Sequence, residues 1–319
     1  MARSTLPNLA LPETSATPAA GIPARSVAAN LALSLRPAQW TKNLLVFAAL
    51  IFAVKLFDPT AVVRSIAACI VFCVLSGAVY LVNDIVDRDN DRRHPTKSRR
   101  PIAAGTLPVG TALAAAAALT TAALAAAFLL GWRFGLVAAG YVALQGLYSG
   151  PFKDIVIIDV LTLALGFVLR AVAGAVVIDV RISSWLFVCT ILLALFVALA
   201  KRRHELVLLA DDAITHRPIL GEYSAYLLDQ MIAVVTASTL VAYSFYTMSP
   251  ETVQRFGTEW LGLSIPFPLY GIFRYLYLVH RRAAGGSPAD LLLNDRPLLA
   301  CVVLWVVTVV VIIYRPFLL

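Results

Sequence analysis

Charge is what this sequence has least of. Only 14% of its 319 residues are Asp, Glu, Lys or Arg, where a soluble globular domain carries about a quarter. Such a chain has too few charged groups to clothe a water-soluble fold of this size. Cysteine is scarce as well. Cys69, Cys73, Cys189 and Cys301 all fall in apolar stretches, with no C-x-x-C pair and no Cys/His cluster. That excludes zinc and disulfide frameworks and leaves the four as small buried hydrophobes. The four histidines make no Ser/His/Asp or Cys/His constellation for nucleophilic catalysis. No basic n-region runs directly into an apolar h-region, so no signal peptide is read.

What is present is apolar: 60% of residues are hydrophobic and the mean hydropathy is +0.84. Residues 1–33, rich in Ala, Pro, Ser and Thr, read as a disordered cytoplasmic tail. From 34 to 319, segments of spanning length recur near 43–57, 61–82, 109–130, 134–149, 155–178, 183–200, 230–248, 262–279 and 297–314. The expectation is an all-α polytopic bundle of about nine transmembrane helices. The net charge is +8, and the basic residues sit in loops between apolar spans. That placement argues against nucleic acid and for anchors, anionic headgroups or a polyanionic substrate. With the N-terminus inside, 18 of the 26 Lys and Arg fall on the cytoplasmic side, six outside and two within spans. Both long polar loops, near 83–108 and 201–229, are then cytoplasmic.

The strongest local pattern is Asn83-Asp84-Ile85-Val86-Asp87-Arg88-Asp89-Asn90-Asp91. Asp84, Asp87 and Asp91 stand at i, i+3 and i+7, which share one helix face. Three carboxylates on a stripe repel unless a cation sits between them. Magnesium suits such a place, because it takes hard oxygen ligands and completes its shell with water and substrate phosphate. The plainer reading is a solvated loop with Arg88, Arg92 and Arg93 as counter-ions. The following basic run, His94 to Arg100 with Lys97, Arg99 and Arg100, weakens it, because metal plus clustered Lys and Arg is what a pyrophosphate leaving group needs. His94 reads as a structural hydrogen-bonder rather than a base.

The N-D-x-x-D-x-x-x-D pattern at the end of the second span resembles the first aspartate-rich motif of the UbiA prenyltransferase superfamily, over roughly residues 34 to 319. The resemblance implies a helical membrane bundle in which Asn83, Asp84, Asp87 and Asp91 bind magnesium and a diphosphate. Members that transfer a prenyl group usually carry a second acidic motif after the sixth span. Here that place reads Ala200-Lys201-Arg202-Arg203-His204-Glu205, basic where acidity is expected.

The pattern is instead similar to the decaprenyl-phosphate phosphoribosyltransferase branch. Four stretches carry this: Arg36 to Asn43, the extended aspartate run through Pro101-Ile102, Tyr148-Ser149 with Lys153 and Asp159, and Lys201-Arg202-Arg203 with Glu205. This branch implies transfer of 5-phosphoribose from phosphoribosyl pyrophosphate to a polyprenyl phosphate, for cell-envelope glycolipid precursors in a bacterial inner membrane. Charge arithmetic agrees. Two anionic substrates in a partly desolvated cavity call for more Lys and Arg, and fewer carboxylates, than a prenyl diphosphate with a neutral aromatic acceptor.

The remaining candidates each have a bland reading beside the functional one. Lys153 is a phosphate ligand or a helix-end anchor. Asp159, a carboxylate within an apolar run, is functional by default; with Asp84 and Asp87 it is a catalytic candidate, supporting magnesium or holding the ribose hydroxyls. Arg170 lines the pocket at the sugar phosphate, or pairs with carbonyls or another helix. Arg274 snorkels and stays outside the site. Lys201, Arg202 and Glu205 share a helix face; they hold the donor's phosphates, with Glu205 orienting a Lys or Arg, or form a surface ion pair. Arg36, Lys42 and Asn43 meet the lipid phosphate or anchor the first span. Tyr148 and Tyr223 contact the ribose or mark the interface.

The acceptor phosphate is already ionised, so no general base is needed. Two other readings stay open: prenyl transfer to an aromatic acceptor, and a non-enzymatic transporter or lipid-binding protein. A homo-oligomer is compatible with the sequence.

Overall fold

A computed structural model of the chain describes residues 26–94, 96–209, 218–282, 291 and 294–318. Among them every regular element is helical. Six helices are long and apolar enough to cross a bilayer: α3 (Pro59–Val86), α5 (Val109–Leu130), α7 (Ile158–Val177), α8 (Ser184–Leu209, apolar through Val207), α9 (Ala225–Met248) and α12 (Arg296–Leu318, apolar through Arg315). They coincide with six of the nine expected spans.

The other three expected spans hold lesser elements. At 43–57 a 3-10 run (Pro37–Phe47) leads into a short α2 (Ala48–Phe52). At 134–149 lies the 18-residue α6 (Trp132–Ser149), whose Arg133 and Gln145 lower its apolarity. At 262–279 a 3-10 turn precedes the 17-residue α11 (Pro266–Arg282). The short α10 (Pro250–Phe256) links α9 to that turn. The expected tail also shortens. Residues 1–25 lie outside the described residues, but Val27–Ser34 form α1, capped by Ser26 Oγ accepting from Ala29 N–H at 3.2 Å.

Local chemistry sets several boundaries. α3 opens with Asp58 accepting from Thr60 and Ala61 N–H and with Pro59 in its first turn. It ends as the acidic run begins, and α4 (Arg88–Arg93) follows directly. α5 and α6 are joined at Gly131, whose φ of 152° no residue with a Cβ adopts easily.

Packing follows the bilayer's rules, where small residues allow close helix contact. α5 buries Ala112, Ala116, Ala123 and Ala127, in part against α3, and leaves larger residues such as Leu113 and Leu129 facing outward. One cluster joins the 3-10 run, α3, α5, α6 and α7 through Val46, Phe72, Phe134 and Tyr141. Another joins α7, α8, α9 and α11 around Phe196, Tyr223 and Tyr275. A third closes the bundle by tying α2 to α9 and α12. In it Leu56 N–H donates to Tyr314 Oη at 3.0 Å, and Tyr314 O–H reaches the Leu50 and Ile51 carbonyls.

Candidate active site

The C-terminal end of α3, α4, the C-terminal end of α6, the N-terminal end of α7 and the C-terminal half of α8 bring the chemistry-bearing residues to one end of the bundle. Asp84 and Asp91 are both buried, and one nitrogen serves both: Arg100 Nη1 lies 3.1 Å from Asp84 Oδ1 and 2.6 Å from Asp91 Oδ2. Arg36 also pairs with Asp84 Oδ1, reaching it from a left-handed backbone (φ 52°) and lying over the Tyr80 ring. Asp87, half-exposed on the same stripe, pairs with Lys153 Nζ at 3.2 Å. Asn83 Oδ1 accepts from Ser149 Oγ, which ties the motif to α6. A cavity of about 220 Å³ opens beside Asp84, lined by Leu33, Ser34, Arg36, Thr96, Arg99, Arg100 and Pro101.

The basic loop is held in shape locally. His94 Nδ1 accepts from the Thr96 and Lys97 N–H groups, and Arg92 Nε donates to the Ala103 carbonyl at 3.1 Å. His94 is thus the structural hydrogen-bonder the sequence suggested. Lys97 remains solvent-accessible overall, yet surrounding protein and the neighbouring Arg100 lower its pKa, opposed by Asp91, Glu205 and Asp87. Lys97 thus feels both the aspartate stripe and Glu205 of α8 electrostatically.

On that side Arg202 is almost wholly buried, facing Asp159 on α7 and Glu205 one turn on. Its Nη2 lies 2.6 Å from Asp159 Oδ2 as an ion pair outside hydrogen-bond alignment, and among the described residues its Nε has no hydrogen-bond partner. Tyr223 completes the group: its O–H donates to Asp159 Oδ1 at 2.8 Å and its oxygen accepts from Ile157 N–H at 2.7 Å. Burial pushes the Tyr223 phenol up to about 12, so it stays a donor. Tyr148 reaches Arg202 as a hydrogen-bond partner. Lys201 Nζ lies 3.8 Å from Glu205.

A family model described as the UbiA prenyltransferase family matches residues 43–294. The chain belongs to the UbiA prenyltransferase family. Curated relatives include decaprenyl-phosphate phosphoribosyltransferases of Corynebacterium glutamicum, 33% identical over 92% of this chain and 89% of that protein, and of Mycolicibacterium smegmatis, 33% identical over 94% and 96%. A solved UbiA homologue from Archaeoglobus fulgidus, bound to GPP and Mg2+, has the same fold: TM-score 0.69 at 19% identity, covering 89% of this chain and 99% of that one. The chain is accordingly an enzyme, a transferase of the UbiA superfamily.

Within this UbiA bundle several sequence expectations change. Asn43 was expected to meet the lipid phosphate or to anchor the first span; it is fully buried, and its amide donates to Ser76 Oγ at 3.3 Å and to Cys73 Sγ. Of the two readings of Arg170, the structure matches the pairing with a carbonyl and other segments rather than the sugar phosphate: its guanidinium donates to Asn43 Oδ1 (2.7 Å), the Gly166 carbonyl (2.6 Å) and Tyr141 Oη (2.8 Å), so each of its three nitrogens is held by the bundle. Tyr141 and Ser76 escaped notice because isolated polar residues in apolar runs carry no motif. Asp159 is fully buried behind Arg202 and Tyr223, and so does not face the cavity. Arg36 lies at the aspartate stripe rather than only at the membrane surface. Lys42 precedes the buried Asn43, half-buried on the 3-10 run. Arg274, read as lying outside the site, pairs with Asp295 at 2.9 Å.

A divalent cation can be tested against this donor set. Among the described residues no group of three or more His, Cys, Asp or Glu converges as a metal cluster. Asp84 and Asp91 nevertheless both reach a single cationic nitrogen, now supplied by Arg100. Two hard oxygen donors converging on one cation suit magnesium, which keeps water and phosphate in its remaining positions.

Proposed function

We propose that this protein transfers 5-phosphoribose from phosphoribosyl pyrophosphate to a polyprenyl phosphate of the decaprenyl type, releasing pyrophosphate, with magnesium as cofactor. The product would serve cell-envelope glycolipid synthesis in a bacterial inner membrane. The carrying observation is the basic lining: Arg36, Lys97, Arg100, Lys153 and Arg202 surround the aspartates, and α8 offers a buried Arg202 with one carboxylate where the prenyl-transferring pattern expects an acidic cluster. The names of the relatives, identical at about one residue in three over nearly their whole length, agree with this.

Asp84 and Asp91 would hold magnesium, with Asp87 and Asn83 beside them. Bound there, the ion would neutralise charge on the pyrophosphate. Lys97, Arg100 and Lys153 would grip donor phosphates, and Arg36 with Lys42 the acceptor phosphate. The bond from the anomeric carbon to pyrophosphate oxygen breaks, and the leaving group keeps the electron pair. A lipid phosphate oxygen bonds to the same carbon from the opposite face, through an oxocarbenium-like transition state with inversion. That oxygen is already anionic, so no general base is required. The site would open to the cytoplasm, with the N-terminus inside, as the charge bias indicates.

The test supplies purified protein with magnesium, labelled phosphoribosyl pyrophosphate and decaprenyl phosphate, and follows label into the lipid fraction. A parallel arm offers a prenyl diphosphate with an aromatic acceptor. Label in the first arm alone supports the proposal; transfer in the second arm alone replaces it with prenyl transfer.

A further inference from the structure

The cavity end of this bundle must recognise two kinds of group on a phosphoribosyl donor. Phosphates accept hydrogen bonds and call for Lys and Arg. Ribose hydroxyls donate, and the strongest acceptor for them is a carboxylate. A carboxylate is also costly among phosphates, so one kept in a basic basin needs a reason. Asp84 and Asp91 are occupied by Arg36 and Arg100, and Asp87 by Lys153. Asp159, the carboxylate first considered for the ribose, is fully buried.

Glu205 is paired as well, with Arg202 and Lys201, but it is held differently: a quarter of its side chain is exposed, Lys97 of the opposite loop lies within its electrostatic reach, and a chain of buried groups fixes its position from behind. Arg202 grips Oε2, Asp159 backs Arg202 at 2.6 Å, and Tyr223 backs Asp159 at 2.8 Å. Tyr223 in turn anchors Ile157, a β-branched residue held at φ 69°, a conformation that persists only when surroundings enforce it. So many buried polar groups, spent on orienting one carboxylate that is a quarter exposed, are hard to reconcile with a surface ion pair.

We infer that Glu205 binds the hydroxyls of the donor's ribose, and that Tyr223, Asp159 and Arg202 are positioning residues that set its oxygens. This rests on the phosphoribosyl reading above and adds the group that tells ribose from other pyrophosphate-bearing donors. Lys201, 3.8 Å from Glu205, flanks the contact.

The experiment compares kcat/KM for phosphoribosyl pyrophosphate and its 2-deoxy analogue in wild type, Glu205→Gln, Glu205→Met and Tyr223→Phe. Wild type is expected to prefer the ribose donor by about tenfold or more, the usual effect of one hydrogen bond to a charged group. Glu205→Met should bring that preference close to one, because the ribose donor slows while the deoxy donor slows little. Glu205→Gln, which keeps the side-chain shape, should fall between. Tyr223→Phe should narrow the preference and raise KM for the ribose donor more than it lowers kcat. If both Glu205 variants, monodisperse and with unchanged Tm, slow the two donors in proportion, the inference is overturned. A wild type that transfers from neither donor overturns the phosphoribosyl reading itself, so the two failures are distinguishable.

Discussion

Asp84 and Asp91 meet at one guanidinium nitrogen, so a single added cation would have to displace Arg100 or share its place. Replacing Asp84 or Asp87 with Asn keeps the shape and removes the charge. Turnover should fall by about 10²-fold or more, the scale of losing a main electrostatic contact in a site, while the protein remains folded and monodisperse. Near-normal turnover in a well-folded Asp84→Asn/Asp87→Asn double variant would remove the metal-binding role. Chelating divalent cations should stop wild-type transfer, and added magnesium should restore it. Lys97 yields a second prediction. Its pKa is lowered by burial and by Arg100, so it loses its proton at a lower pH than an ordinary lysine. Donor kcat/KM should therefore fall on the alkaline side as Lys97 becomes neutral, and Lys97→Arg, which stays charged, should move that limb to higher pH. An unmoved limb would assign the titration elsewhere. The stripe was readable in the sequence because spacing alone puts three carboxylates on one face. The pairing of Arg36 with Asp84 was not, since 48 positions separate them, and neither was the loss of Arg170 to Asn43, 127 positions away. No local pattern encodes which cation closes which carboxylate.

At the scale of elements, the 3-10 run packs closely against both α7 and α3. A Cβ built on Gly174 would collide with the Val46 carbonyl, so the glycine is what lets the run lie against α7. That approach sets the depth of Asn43, and Asn43 with Tyr141 satisfies the buried Arg170. Gly174→Ala should push the run outward, break the Asn43–Arg170 bond and cost about 1–3 kcal/mol, the usual range for overpacking. It would appear as a lower Tm in detergent. An unchanged Tm would mean that the run adjusts freely and is not a rigid strut. Most long helices were legible because 20-residue apolar runs can do little else in lipid. The first expected span was not. Residues 43–57 are apolar enough, but the run from Pro37 packs as a 3-10 segment against α3 and α7 before α2 begins, a tertiary choice that hydropathy does not register. α1 was read as tail for a related reason: its anchors are Asn30 donating to the Thr106 carbonyl, and Leu31 and Leu35 packing near Leu81 and Ile102, all of them distant in sequence.

Across the whole molecule, the basin lies at one end of the bundle. The other end carries a sparser set, which includes Lys55 with Asp58, Arg64 on the Leu130 carbonyl, and Arg133 with Asp179. In the orientation proposed from the positive-inside rule, the basin end would face the cytoplasm. The direction matters for chemistry, because a polyanionic donor does not cross hydrocarbon, and the face on which the basin opens fixes the compartment that must supply it. Arg93 and Arg133 are both exposed and lie at opposite ends. In a background with Cys69, Cys73, Cys189 and Cys301 changed to Ala, single Arg93→Cys and Arg133→Cys variants should separate the two faces. A membrane-impermeant maleimide added to intact cells stripped of any outer barrier should label position 133 at once and position 93 only after permeabilisation. Labelling of position 93 in sealed cells would invert the topology. The basin would then open away from the cytoplasm, its Lys and Arg would no longer follow the charge bias, and a donor made in the cytoplasm could not reach Asp84.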